Sequence, residues 1–204
     1  MTTAIGPAAS ARFLPHCVMR DFLPEDMADG LLDYAVANEA RFAASAALYG
    51  GRRTIDSGVR KAVNLGDLGP FAQPLTARVL EIRPGIERAF GIAPYPLARI
   101  ELDLTASGDG AHFVRHVDTA LGADRAAETR MLTMVLYLHR RPRRFTGGAL
   151  RVYALGGPEV QDISPDHNTL ASFPAFAPHS VEPVSCPGGG FADARFAVTI
   201  SLLR

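Results

Sequence analysis

His116 and Asp118 stand two residues apart in the stretch Gly110-Ala111-His112-Phe113-Val114-Arg115-His116-Val117-Asp118, which reads as a β-strand. Successive side chains on a strand point to opposite faces, so an imidazole at i and a carboxylate at i+2 project together. One further donor from elsewhere in the chain would complete three ligands on one side of a metal ion. The best candidate is His179, in Phe176-Ala177-Pro178-His179-Ser180-Val181. Two histidines and one carboxylate with open positions opposite is the arrangement that suits non-haem Fe(II). An isolated H-x-D occurs by chance in long chains, so its weight rests on the elements around it.

Those elements divide the chain by the period of its apolar residues. Pro24-Glu25-Asp26 opens a helix, with proline early and acids in the first turn. Met27, Leu31, Tyr34, Ala35, Asn38 and Phe42 continue it at a 3–4 spacing, and Gly50-Gly51 ends the segment. Arg52 to Gly69 reads as irregular and polar. A second helix begins at Pro70, with Phe71, Leu75, Val79 and Ile82 on one face. Pro84-Gly85 is expected to interrupt it, leaving one more turn over Ile86 to Phe90. From Leu97 the period becomes two. Strands are expected over Leu97–Thr105, His112–Asp118, Met131–His139, Ala149–Tyr153, Val160–Ile163, Leu170–Phe173, His179–Val184 and Arg195–Leu203, with a short one at His16–Met19. Asp166-His167-Asn168 reads as a turn in which Asn takes positive φ. In Met131–His139 the face of Leu132, Met134, Leu136 and Leu138 should pack under the helices. Thr133, Val135, Tyr137 and His139 should line a space that tolerates polar groups.

Composition bounds the function. The chain has 204 residues, 48% of them hydrophobic, enough for one sizeable core. Lys and Arg balance Asp and Glu at 21 each, so charge gives no case for nucleic acid or acidic membranes as partners. No apolar run approaches the roughly 20 residues of a membrane span. Met1 to Ser10 reads as a loose tail without the basic start and apolar core of a secretory signal. Cys17 and Cys186 form neither a disulfide framework nor a C-x-x-C site. The expected compartment is the cytoplasm, and the oligomeric state stays open.

The residues taken in order resemble a known family. His116-Val117-Asp118, Met131 to Leu138, Gly147-Gly148-Ala149-Leu150-Arg151-Val152, Phe173, Pro178-His179-Ser180-Val181-Glu182-Pro183-Val184 and Arg195-Phe196-Ala197-Val198-Thr199-Ile200 follow the order of the Fe(II)- and 2-oxoglutarate-dependent dioxygenases of the prolyl 4-hydroxylase-like group. Gly110–Asp118 and Arg130–Tyr137 especially resemble the hypoxia-type prolyl hydroxylases. The resemblance covers Leu97 to Leu203. It implies a mainly β fold with supporting N-terminal helices, a double-stranded β-helix or jelly roll: a helical support over residues 1–96 and a catalytic core over 97–204, integrated as one domain. It implies Fe(II), 2-oxoglutarate and O2, with ascorbate a candidate addition, and hydroxylation of a C–H bond. His116, Asp118 and His179 match the iron ligands. Arg195 matches the cation that holds the distal carboxylate of 2-oxoglutarate, and Tyr137 the tyrosine that hydrogen-bonds it. A planar guanidinium can grip a carboxylate through two parallel bonds. On a regular last strand Arg195, Ala197, Thr199 and Ser201 share a face, so Thr199 is a further contact candidate.

The chain departs from the family in two places. Ala106 stands where the family often has a tyrosine, about ten residues before the first ligand, which implies a more open pocket. His179 and Arg195 are sixteen residues apart, a long spacing that Pro187-Gly188-Gly189-Gly190 explains as a longer hairpin loop. His112 shares the His116 face and could reach the pocket mouth, although a solvent-edge histidine is the simpler reading. His139 is a rim candidate on the same terms, and His16 and His167 read as structural or surface residues. The Thr119–Arg130 loop and the basic run Arg140, Arg141, Arg143 and Arg144 both leave strands of the pocket and are candidate borders for substrate, with a solvated loop the plainer account of the arginines. Nothing marks Cys186 as reactive. The implied substrate is a prolyl residue in a peptide or protein, the alternative a small molecule such as a free amino acid or biosynthetic intermediate. A non-catalytic metal-binding jelly roll has no use for Arg195 and Tyr137, and a cupin-like isomerase or hydrolase usually gathers more histidines.

Overall fold

The computed structural model describes residues 13–49, 52–119 and 129–204. The expected N-terminal tail, the Gly50-Gly51 break and most of the Thr119–Arg130 loop lie outside them. Two antiparallel sheets face each other. The major sheet orders its strands Cys17–Met19, Thr169–Pro174, Arg130–Leu138, Arg195–Leu203, Arg99–Ser107, Val63–Leu65 and Ala43–Ala44. The minor sheet orders Val160–Ile163, Leu150–Tyr153, His179–Val181, His112–His116 and Arg60–Lys61. This is the expected double-stranded β-helix, and two helices, α1 (Glu25–Ala37) and α2 (Ala72–Phe90), back the major sheet.

Alternation along the long strands builds the molecule. Leu132, Met134, Leu136 and Leu138 join Phe196, Val198, Ile200 and Leu202 from the neighbouring strand in one buried cluster with Leu31 and Leu32 of α1 and Leu75, Val79 and Ile86 of α2. Fully burying such a side chain contributes roughly 1.5–3 kcal/mol, so this face dominates the core. The opposite face of the same strands carries Thr133, Tyr137, Arg195 and Thr199. A slip of one residue would exchange the two sets, and the apolar face therefore sets the register of the polar one. Arg195 pairs with Ser107 on one side, and Ala197 pairs with Tyr137 on the other.

Two expectations need correction. α2 runs through Pro84 without interruption and ends at Gly91, whose φ of 67° provides the left-handed cap. Proline removes one backbone hydrogen bond, but Val79 before it and Ile86 after it are anchored in the same cluster, and Arg83 pairs with Glu87 across the site. Tertiary packing overrides the local breaker. Pro84 is itself exposed. Pro84→Ala is therefore expected to stabilise the protein by about 1–2 kcal/mol, less than the ~3 kcal/mol interior proline penalty because the proline also restrains the unfolded chain. Urea unfolding measures this; an unchanged or lower midpoint would mean that α2 is broken at this point.

The segment read as irregular also contains paired strands. Arg60 and Lys61 pair with Phe113 and His112 in the minor sheet, and Val63–Leu65 pairs with Ala106–Leu104 in the major one. Strands of two or three residues are too short to reveal a period of two. The crossing brings Arg60 to the space between the sheets. Asn168 has the expected positive φ, 55°, and its side-chain amide both accepts from Leu23 N–H and donates to Leu23 C=O. Cys17 and Cys186 are free and buried. Among the described residues no helix is long and apolar enough to cross a membrane.

Candidate active site

The minor sheet places the two histidines side by side. His179 and His116 are direct cross-strand partners. Asp118 follows the end of its strand, held by its backbone N–H donating to Ala175 C=O at 2.8 Å. His116 Nε2 lies 3.4 Å from Asp118 Oδ1, and His179 Nε2 lies 3.6 Å from Asp118 Oδ2. One donor atom from each of the three lies within 4.8 Å of the others. Donors bound about 2.1 Å from one centre stand roughly 3–4.2 Å apart, so the 3.4 and 3.6 Å separations from Asp118 fit a shared ion.

Protonation follows from the second nitrogens. His116 Nδ1 donates to Val114 C=O at 2.8 Å, and His179 Nδ1 donates to Ala177 C=O at 2.9 Å. A carbonyl only accepts, so each Nδ1 carries the proton and each Nε2 turns a lone pair inward. Burial pushes His179 down to about 4, outweighing the attraction of Asp118, so the neutral ring is the resting form. Burial alone would raise the Asp118 carboxyl. The two histidines and Thr133 together hold it well below the usual carboxylate range. Phe113 stacks on His116 at 3.6 Å and Phe173 packs on His179 at 4.6 Å, fixing both ring planes.

Thr133 Oγ1 donates to Asp118 Oδ2 at 2.7 Å, a contact the sequence reading did not assign. The available signal was position: Thr133 is four residues from Tyr137 on the same strand face. Partners of this kind orient a ligand and are typically worth 10–100-fold in metal affinity. Thr133→Val keeps the shape and removes the bond. It is expected to weaken Fe(II) binding by about tenfold or more, read by anaerobic titration; unchanged affinity would show that Asp118 needs no such support.

The three residues open on a cavity of ≈ 180 Å³ between the sheets, which Arg195, Tyr137, Thr199 and His112 also line. Arg195 is 3% exposed and Tyr137 0%. Arg195 Nη1 donates to Ser107 Oγ at 3.2 Å, and its guanidinium lies 5.0 Å from the centre of the Tyr137 ring. Tyr137 Oη and Arg195 Nε are buried without a hydrogen-bond partner among the described residues. An unmet buried polar atom costs about 1–3 kcal/mol, which a carboxylate ligand would recover. Burial lowers the Arg195 pKa and raises that of Tyr137. Gly148 makes room for the arginine. Its φ is +69°, and a Cβ there would meet Arg195 Cδ at 2.7 Å. The donor set thus fits a divalent iron and the pocket beside it fits 2-oxoglutarate.

Other candidates fall elsewhere. Ala106 belongs to the core cluster on the helix side of its strand, so its identity does not open the pocket. Thr105 and Ser107 are the cavity-facing neighbours. His139 is buried against His167 and Phe145 and does not line the cavity, because the strand ends at Leu138 and the chain turns away. The basic run is not a border of the cavity either. Arg141 pairs with Glu25 and Asp29 of α1 at 2.7 Å each, and Arg143 lies 3.5 Å from Asp166. These acids are far away in sequence, which is why the run looked unpaired. The cavity instead holds Arg60 and Arg130. Arg130 donates from Nε and Nη2 to Glu101 Oε2 at 3.0 and 2.6 Å and from Nη1 to Asp118 C=O at 3.1 Å.

Two facing sheets with a His-Asp-His cluster at one end of an arginine-lined cavity define a class, the iron-dependent 2-oxoglutarate oxygenases. Residues 102–201 match the 2OG-Fe(II) oxygenase superfamily. An uncharacterized PKHD-type hydroxylase of Synechocystis is 33% identical over 129 residues, which cover 59% of this chain and 42% of that protein. Among solved structures, a Pseudomonas putida prolyl-4-hydroxylase superposes with a TM-score of 0.68 at 21% identity, covering 93% of this chain and 92% of the other. A Trichoplax adhaerens prolyl hydroxylase, solved with a peptide fragment of the hypoxia-inducible factor, superposes with a TM-score of 0.70 at 19% identity, covering 92% and 82%. At these identities the structural likeness establishes the fold.

Proposed function

We propose that the protein is an Fe(II)- and 2-oxoglutarate-dependent dioxygenase that hydroxylates a C–H bond, with His116, Asp118 and His179 as the metal ligands and Arg195, Tyr137 and Thr199 as the 2-oxoglutarate contacts. The observation that carries this is the coincidence, in one cavity, of the three convergent donors and two buried polar groups left without partners, Tyr137 Oη and Arg195 Nε. A metal-binding jelly roll without catalysis would leave those groups as an uncompensated penalty. Iron, 2-oxoglutarate and O2 together supply the oxidising power for hydroxylation, with succinate and CO2 as co-products. The chain contributes position and dryness. Thr133 and the two backbone carbonyls hold the ligands in one orientation, Arg195 and Tyr137 select an acceptor with a distal carboxylate, and the two sheets exclude water.

The preferred substrate is a prolyl residue in a peptide or protein, supported by fold likeness to the prolyl hydroxylases and by the peptide seen in one of them. A small carboxylic acid or free amino acid is the second substrate reading, favoured by the charged cavity lining, which holds Arg60 and Asp103 as well as Arg195. Succinate release with Fe(II) and 2-oxoglutarate, with prolyl peptides in one arm and free amino acids in the other, decides between them. A product heavier by one oxygen (+16 Da) is expected in one arm only. Absence of any Fe(II)- and 2-oxoglutarate-dependent spectral change in the purified protein would overturn the dioxygenase assignment itself.

A further inference from the structure

Among the cations of the cavity, Arg60 is the loosely held one. Arg130 is engaged through all three of its nitrogens, and Arg195 has its proposed ligand. Arg60 Nη1 reaches Ala46 C=O at 3.3 Å and Nη2 reaches Thr105 Oγ1 at 3.4 Å, both long for a guanidinium. Its nearest carboxylate among the described residues, Asp103 Oδ2, is 3.9 Å away, too far for a hydrogen bond. Other arginine–carboxylate contacts in the protein close to full hydrogen bonds, as with Arg151 to Asp162 at 2.7 Å and Arg41 to Asp67 at 2.6 Å. Asp103 is held at its other oxygen by Asn64 Nδ2 at 2.6 Å, so it does not swing toward Arg60.

The side chain is nonetheless drawn out of water. It is 17% exposed, and burial lowers its pKa against the support of Asp103 and Asp118. Its guanidinium lies 5.1 Å from the centre of the Phe113 ring, and that ring stacks on His116. A desolvated guanidinium with weak neutral partners is poised for a charged acceptor arriving from the cavity. Phe113 ties its position to the proposed iron ligand, so that acceptor would lie close to the reacting centre.

We propose that Arg60 is the specificity-determining residue of the site and receives a carboxylate of the substrate. This rests on the dioxygenase assignment and narrows it: the substrate is an acid, and the carboxylate belongs either to a free amino acid or small carboxylic acid, or to the C-terminus or an acidic side chain of a peptide. A neutral, internal prolyl residue alone does not satisfy Arg60.

The experiment uses the full chain loaded anaerobically with Fe(II) and 2-oxoglutarate. Formation of the metal-to-ligand charge-transfer band tests the dioxygenase assignment first, and its absence in the wild type overturns that assignment and this inference with it. With the band present, a fixed panel is titrated and followed by band perturbation and thermal shift: the common free amino acids, their carboxamides, and blocked prolyl peptides with a free or amidated C-terminus and with or without a flanking Asp or Glu. At least one acid is expected to bind about thirtyfold or more tightly than its amide, the fold-change typical of losing one partner of a buried charge pair. The arm in which it falls identifies the source of the carboxylate. Arg60→Gln is expected to abolish that preference while leaving 2-oxoglutarate affinity little changed, and Arg60→Lys, which retains charge and bulk, to keep part of it. Equal binding of acids and amides throughout the panel, a preference that survives Arg60→Gln, or a loss of 2-oxoglutarate rather than of the panel acid in Arg60→Gln and Arg60→Lys would each overturn the assignment.

Discussion

Alanine in place of His116, Asp118 or His179 is expected to reduce turnover to background and to weaken Fe(II) binding beyond the roughly 10–100-fold typical of an outer support. Each substitution removes one of three donors that lie within 4.8 Å of one another, and the two that remain no longer close one side of the ion. The fold should survive. Asp118 is positioned by its backbone N–H on Ala175 C=O, and the two histidine strands are paired through backbone bonds. The large core cluster lies on the far side of the major sheet. Anaerobic Fe(II) titration, succinate release and circular dichroism measure the three parts separately. A variant that kept wild-type iron affinity and rate would remove its residue from the ligand set; loss of cooperative unfolding would assign it to the core instead.

The second large effect concerns Arg195. Truncating one partner of a buried charge pair typically costs about 3–5 kcal/mol, because the other charge is left unpaired. At ~1.4 kcal/mol per tenfold, Arg195→Ala should raise the 2-oxoglutarate requirement by two orders of magnitude or more. Fe(II) affinity should change little. Arg195→Lys should be intermediate, since it retains charge and loses the planar fork. Tyr137→Phe should be milder, with one hydrogen bond worth about 0.5–1.5 kcal/mol. Gly148→Ala should resemble the lysine variant, because its new Cβ meets Arg195 Cδ at 2.7 Å and displaces the guanidinium. Titration of 2-oxoglutarate into the Fe(II)-loaded proteins without O2 ranks all four. If Arg195→Ala bound 2-oxoglutarate like the wild type, another cation of the cavity would hold it, with Arg60 the first to examine.

The sequence by itself determined the two long strands and their faces. Over Met131–Leu138 and Arg195–Leu203 the alternation persists for eight or nine residues, with one side wholly apolar. Burying that side under the helices leaves Tyr137, Arg195 and Thr199 no choice but the cavity. The i, i+2 spacing pointed to His116 and Asp118 together, although the strand ends at His116 and the backbone bond to Ala175 C=O positions Asp118, and the ordered motifs brought in His179 from 63 residues downstream. What the sequence could not carry was any contact between elements whose local pattern is short or misleading. The pairing of His179 with His116 is a matter of sheet register. Pro84 is a helix breaker locally, and only the packing of Val79 and Ile86 on α2 keeps it helical. Arg140 to Arg144 read as free charge until the fold brought Glu25, Asp29 and Asp166 to Arg141 and Arg143. Ala106 was counted to the pocket by its distance from His116, but strand alternation turns it to the core and gives the cavity to Thr105 and Ser107. Arg60 sits in a two-residue strand whose place beside Phe113 depends on a partner about fifty residues away. Periodicity is a local signal that survives only in long elements; ion pairs and cavity walls are made between elements, and the tertiary structure alone decides which charges meet.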